Sequence, residues 1–197
     1  MSIADLLRNY APYDEIERDH LDRFSSFIAR HESPFDRTIV EGHLTGSAFI
    51  LDASLEHVLL LHHLKVGKWL QPGGHAELGE TDPEKIALRE AREETGIEEL
   101  WHPSAPRPLD LDIHQFPARG ADPAHWHLDV RYLVLAKDGA KLRLAVSEAA
   151  DLRWFAWAEL PDLHLDAGTV RALVKARALS GQGMGSRSPS LQTGNDS

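Results

Sequence analysis

The sequence predicts an α/β fold: a mixed sheet between layers of helix, with a further helical segment at the N-terminus. Three observations lead there. Residues 2–31 carry apolar side chains at helical spacing. From Thr38 the period changes, and two continuous apolar runs follow at 47–51 and 57–62. An acid-rich helical stretch near 83–95 then separates these runs from later strand-like segments. Strands on both sides of a central helix, with helices at each end, indicate a mixed α/β sandwich rather than a doubly wound parallel sheet.

Each element has a local reason. Ser2 can cap a short first helix, and Ala11-Pro12 breaks it. A second helix is expected from about Tyr13 to Arg30, with Ile16, Leu21, Phe24, Phe27 and Ile28 as its apolar stripe. This helix pair either packs on the main domain or serves as a dimer interface or lid. Ser47–Leu51 and His57–His62 read as strands joined by the turn 52–56, and their unbroken apolar runs suggest burial on both faces. Residues 67–71 are a short extended piece, and Pro72-Gly73-Gly74 predicts a loop. Thr81 or Asp82 suits an N-cap, Pro83 the first helical position and Gly96 the terminator, so a helix is expected over 83–95. Prolines 103, 106 and 108 give loop composition. Strands return near 110–117, 126–136 and 152–157, and a last helix is expected over Ala167–Ala178. The tail 180–197 is rich in Gly, Ser, Asn and Gln and is expected to be disordered. The organisation is therefore a helical extension (1–36), one domain (37–179) and the tail, with no internal repeat.

Composition narrows the function classes. A chain of 197 residues, 42% hydrophobic and 26% charged, can bury one real core. No apolar run approaches the roughly 18 residues needed to cross a membrane. The first twenty residues lack a basic region followed by an apolar stretch, so no secretory signal is expected. The absence of cysteine excludes disulfides and thiolate metal sites, and it fits a reducing cytoplasm. A net charge of -10 argues against general affinity for nucleic acid but leaves small anionic substrates open. The twelve histidines are scattered without metal-ligand spacing, so most read as surface and strand residues.

The informative stretch is 73–97. At about 100° per residue, Glu90, Glu93 and Glu94 share one sector of the helix, while Ala87, Leu88, Ala91 and Thr95 gather on a neighbouring face suited to a sheet. Three glutamates on one patch repel each other, unless a hard divalent cation such as Mg²⁺ takes their oxygens. A solvated acidic helix face has the same pattern. The loop before the helix favours the cation: Gly73-Gly74 lets backbone approach a ligand closely, and Glu77 and Glu80 add carboxylates.

The stretch resembles the Nudix box, G-x5-E-x7-R-E-U-x-E-E-x-G-U, with U aliphatic. Gly74 and Glu80 match its first half, and Arg89-Glu90-Ala91-Arg92-Glu93-Glu94-Thr95-Gly96-Ile97 matches its second, with Ala91 in place of the aliphatic. Eight residues, 81–88, separate Glu80 from Arg89 where the pattern has seven. The extra residue falls at the helix entry and leaves Glu80 the box position that helix geometry does not fix. The strand pair before the box and residues 152–160 after it agree with the family, so the resemblance covers roughly 40–165.

The resemblance implies a Nudix-type α/β/α sandwich and hydrolysis of a phosphoanhydride bond in a nucleoside diphosphate linked to another moiety. It implies Mg²⁺ or Mn²⁺ held by Glu90, Glu93 and Glu94, with the Gly74 carbonyl as a further oxygen and Glu77 as an additional candidate. Arg89 is expected to orient a glutamate rather than touch substrate. Glu148, before the Trp154 strand, is the candidate base outside the box. Apart from the family, residues 125–132 alternate strictly, putting His125, His127, Asp129 and Arg131 on one strand face. That face is either solvated or lines the substrate cleft, with Arg131 or a histidine on a phosphate. Trp69 can stack on a base or pack beneath the loop. A catalytically silent domain that binds a nucleotide or nucleotide-sugar as a sensor is the second reading, but such domains often lose box glutamates that are present here. An isomerase acting on an isoprenoid diphosphate would want a cysteine. Substrate identity is left open among nucleoside triphosphates, dinucleoside polyphosphates, ADP-ribose, dinucleotides and nucleotide sugars.

Overall fold

In the computed structural model, residues 2–116, 118, 123–146 and 149–181 are described. Ser2 caps α1 (Ile3–Arg8) by accepting the Asp5 N–H at 3.1 Å, and Asp14 caps α2 (Glu15–Arg30) through the Glu17 N–H. The chain then enters β1 (Gly42–Asp52), β2 (His57–His63), β3 (Lys68–Leu70) and β4 (Gly73–His75). Helix α3 (Pro83–Thr95) follows, then β5 (Leu100–Trp101), β6 (Pro108–Phe116), β7 (His125–Ala136) and β8 (Ala149–Ala156), a 3-10 turn at Leu160–Leu163, and α4 (Ala167–Gly181).

Among the described residues the strands form one mixed eight-stranded sheet. Its centre is the parallel pair β1–β7, in unbroken register from Gly42↔Trp126 to Asp52↔Ala136. Every other pairing is antiparallel: β2 and β4 on β1, β3 and β8 on β2, β5 and β6 on β7. β1 is buried along nearly its whole length, so its residues alternate between two cores. Leu44, Ala48 and Ile50 join Leu59, Leu61, Val130 and Val134 in the first, against Ile86, Ala87 and Ala91 of α3 and Phe24 and Phe27 of α2. Phe49 and Leu51 join Val58, Leu60, Leu133 and Leu135 in the second, against Ala172, Leu173 and Ala176 of α4. This is the α/β/α sandwich expected from the sequence. Among the described residues no helix is long and apolar enough to cross a membrane.

Three local readings need correction. The segment Gly73–His75, read as loop, is a strand, because two glycines carry no apolar alternation and the pairing with β1 is made by backbone alone. β1 begins five residues before its apolar run, since Gly42–Gly46 are held by pairing with β7 and β4. The loop after Gly96 contains the short strand β5. Residues 180 and 181, expected in the disordered tail, close α4 instead; the rest of that tail, from 182 onward, lies outside the described residues, as does Glu148.

The N-terminal pair is fastened to the sheet by charge as well as by packing. Glu17 is fully buried. Its carboxylate accepts the Leu111 N–H at 3.0 Å, the Tyr10 hydroxyl and the Lys175 ammonium. The last of these ties α2 to α4.

Candidate active site

Helix α3 carries the glutamates, and its entry is fixed locally. The Asp82 carboxylate accepts the Glu84 N–H at 3.1 Å, Pro83 opens the helix, and Gly96 closes it in the left-handed region at φ 71°. The helix crosses the sheet at Gly46, where a side chain would not fit. A Cβ there would lie 2.4 Å from the Pro83 carbonyl oxygen.

Register decides which way β4 faces. Gly74 pairs with Gly46, so its position points toward α3, whereas His75 pairs with Thr45 and points to the opposite face. Gly74 therefore lies directly under Glu90. A Cβ at Gly74 would fall 2.6 Å from the Glu90 carboxyl carbon, a contact only glycine permits. One residue earlier, the Gly73 N–H donates to Glu94 Oε2 at 2.9 Å. Glu94 is 4% exposed, Glu90 is half-buried and Glu93 faces solvent. The box thus brings two carboxylates against the Gly73-Gly74 backbone, with a third beside them on the same helix sector.

Arg89 joins the set together. Its Nη1 donates to Glu90 Oε1 at 2.9 Å and Glu93 Oε2 at 3.1 Å. Nε and Nη2 donate to the two Glu80 oxygens at 3.2 and 3.0 Å, and Nη2 also reaches the His75 carbonyl at 2.7 Å. The planar guanidinium fork suits such divided bonding, as an ammonium would not. Burial opposes the Arg89 charge, but the bonds and charges of Glu80 and Glu90 hold its proton more tightly than usual. In return, hydrogen bonding to Arg89 keeps the Glu80 carboxyl below its ordinary range against a smaller effect of burial. Thr81 precedes the helix and Asp82, extended at φ -111°, ψ 106°, is its N-cap. Glu80 still reaches Arg89. Glu77 is exposed, and its backbone rather than its carboxylate supports the site: its N–H donates to Glu80 Oε2 at 2.8 Å.

The alternating face of β7 is neither solvated nor simple. His127, Asp129 and Arg131 are 7, 3 and 2% exposed, which overturns the solvated alternative. β7 is a central strand, so both its faces are covered. Arg131 donates to Asp129 at 3.0 Å and Asp112 at 2.9 Å and lies 3.5 Å from Asp110. Arg171 of α4 donates to Asp110 and Asp112, and Lys175 to Asp110 at 3.1 Å. Asp129 also accepts the Thr45 and Ser47 hydroxyls. Burial works against charge on Asp110 and Asp112, yet the surrounding cations hold both carboxyls below the usual range. Trp69 packs edge-on against Phe155 and His62, with Arg153 over it.

The sequence reading missed a cluster at the end of this same face. His43, His75, His125 and His127 gather their ring nitrogens within 4.8 Å of one another. Burial, with the charges of neighbouring histidines and Arg37, pushes His43 down to about 4 and His75 down to about 3. The available signal was the pair His125-x-His127, whose side chains share one strand face.

A NUDIX domain model matches residues 43–175. A Mycobacterium tuberculosis protein named "Putative 8-oxo-dGTP diphosphatase 3" is 36% identical over 118 residues, 58% of this chain and 48% of its own length. The chain thus spans about half of the curated relatives it matches. Among solved structures, the Caenorhabditis elegans Ap4A hydrolase binary complex has a TM-score of 0.57 at 20% identity, covering 71% of this chain and 98% of that one. The NUDIX domain of Shewanella oneidensis NrtR, complexed with ADP ribose, has a TM-score of 0.54 at 19% identity, covering 91% and 99%. At these identities the two structures show the shared fold. A NUDIX-family hydrolase from Clostridium perfringens has a TM-score of 0.50 at 27% identity, covering 70% and 97%.

Proposed function

The chain belongs to the Nudix hydrolase family, and from that premise we propose that it hydrolyses the phosphoanhydride bond of a nucleoside diphosphate derivative. One observation carries the reading: Glu90 and Glu94 are packed against the Gly73-Gly74 backbone, where a larger residue than Gly74 would displace Glu90. The donor set, carboxylates with Glu93 alongside and the Gly74 carbonyl as a further oxygen, fits a hard divalent ion. Mg²⁺ or Mn²⁺ held there would offset pyrophosphate charge and make nearby water a stronger acid.

The chain's own residues then have distinct tasks. Arg89 fixes Glu80, Glu90 and Glu93 relative to β4, and it is a positioning residue. Glu93, the exposed member, and Glu148 are the candidates to accept the proton of the attacking water. Asp129 and Arg131 are assigned to the buried ion layer beneath the site rather than to substrate, because Arg131 already meets three carboxylates. Glu77 supports Glu80 through its N–H, and Trp69 packs against His62 and Phe155.

The relative named for a nucleoside triphosphate places that class first in a substrate panel, followed by dinucleoside polyphosphates, ADP-ribose, dinucleotides and nucleotide sugars. With Mg²⁺ or Mn²⁺, phosphate or nucleotide release from at least one of these classes is the expected result. Release no faster than the metal-free control across the whole panel would refute the proposal.

A further inference from the structure

The face of the sheet opposite α3 changes character along the strands. On β1 it runs His43, Thr45, Ser47, Phe49, Leu51, and on β7 it runs His127, Asp129, Arg131, Leu133, Leu135, paired residue for residue. The far end is the second apolar core, the middle is the buried ion layer, and the near end is imidazole. His75 reaches that end from β4 and His125 from the start of β7.

Hydrogen bonding does not account for this group. His127 Nε2 faces His75 Nε2 at 3.2 Å and His125 Nε2 at 3.1 Å. An imidazole nitrogen holds either one proton or one lone pair in the ring plane, so it completes one such bond and not two. His43 is 3% exposed, and neither of its ring nitrogens has a hydrogen-bond partner among the described residues. Buried polar atoms are rarely left so. His114, whose ring stands 5.4 Å from that of His127, is already turned to Asp112 through Nδ1.

We propose that His43, His75, His125 and His127 form a binding site for one Zn²⁺-type transition ion. Zn–N bonds of about 2.0–2.1 Å in a tetrahedron put nitrogens about 3.3 Å apart. Two nitrogen pairs already stand at 3.1 and 3.2 Å, and all four ligand atoms lie within 4.8 Å. Imidazole selects borderline ions such as Zn²⁺, whereas the carboxylates on the other face select Mg²⁺ or Mn²⁺. Two chemically different ions would therefore be sorted onto opposite faces of one strand, β4. Four protein ligands leave no open position, which marks a structural ion rather than a catalytic one. It would fasten β4 to β1 and β7, and β4 is the strand that presents Gly73 and Gly74 to the glutamates. His75 and His125 are half-buried, which gives the ion a way in.

The test uses untagged full chain, stripped by a chelator and dialysed against Zn²⁺, with bound metal counted by mass spectrometry. One Zn²⁺ per chain is expected in the wild type and in the Glu90→Gln/Glu94→Gln variant, and none in His125→Asn or His43→Leu. Zn²⁺, but not Mg²⁺, is expected to raise Tm by roughly 5–10 °C at a hundredfold excess over Kd. Co²⁺ is expected to show the intense visible absorption of a tetrahedral site. Zn²⁺ retained by the histidine variants, or lost on changing the glutamates, would overturn the assignment. So would a stripped wild type that takes up none, and that result needs no histidine variant to fold. The readout is metal content, so failure of the hydrolysis proposal would leave this test unaffected.

Discussion

Replacing Gly74 with alanine tests the geometry of the glutamate site with a single methyl group. The added Cβ would fall 2.6 Å from Glu90 Cδ and Oε1 and 2.9 Å from Oε2. Non-bonded carbons settle about 3.5–4.0 Å apart, so the carboxylate must retreat by about 1 Å. It is the end of a flexible side chain, and the fold should survive at a cost of about 1 kcal/mol, the low end for overpacking. In a chain of this size that lowers Tm by roughly 2–4 °C. Activity should suffer far more, because a 1 Å misplacement in a reacting constellation costs about a hundredfold. Gly67→Ala is the control. Gly67 has φ 67° and, among the described residues, nothing within 4 Å of its Cβ position, so backbone strain is its expected effect. Steady-state hydrolysis and thermal melts of the two variants separate the cases. Gly74→Ala turning over within twofold of wild type, at a similar Tm, would refute the close-approach argument.

Other perturbations address the surroundings. Arg89→Lys retains the charge but not the fork that reaches Glu80, Glu90 and Glu93; activity should fall roughly 10–100-fold with Tm nearly unchanged, the size seen when supports of metal ligands are removed. Equal activity of the two proteins would dismiss the positioning role. Arg131→Met leaves Asp110, Asp112 and Asp129 buried without their central cation, at about 3–5 kcal/mol. A melt should show a Tm loss of roughly 10 °C, and a loss under about 2 °C would show that the layer does not depend on this cation. Acid sensitivity follows from His43, which burial, then the charges of His125 and Arg37, hold down to about 4. The unfolded chain takes up that proton near pH 6.5, so its lowered folded value makes metal-free stability rise with pH between about 4 and 6.5. Urea midpoints measured with a chelator should show this slope, and His43→Leu should make it shallower without removing it, because His75 is held down to about 3 in the same cluster; a wild-type midpoint constant over that window would contradict it.

Much of the site was legible because its signals are local. Asp82, Pro83 and Gly96 mark both ends of α3 within the sequence itself, and the i, i+3, i+4 spacing places Glu90, Glu93 and Glu94 together without tertiary information. The position of Glu80 was not legible, since it lies in the loop before α3, outside the helix whose geometry places the other glutamates. β4 escaped notice because glycines pair through backbone and leave no pattern. The polar face of β7 was visible as alternation, but alternation alone does not say what lies opposite. Burial came from β1, which parallels it, and from α4, whose Arg171 and Lys175 supply charges from 40 and more positions downstream. The histidine cluster was least legible. Its members come from three strands, and only His125 and His127 are near in sequence.

The most direct test of the central claim is Glu94→Gln, which keeps an oxygen to accept the Gly73 N–H but removes the charge. Mg²⁺-dependent turnover of the best substrate and Mn²⁺ binding followed by electron paramagnetic resonance should be measured beside wild type. Circular dichroism should confirm that the fold is kept. The expected result is a folded protein that has lost both Mn²⁺ binding at this site and Mg²⁺-dependent hydrolysis. A folded variant that binds Mn²⁺ and turns over as wild type does would contradict the account.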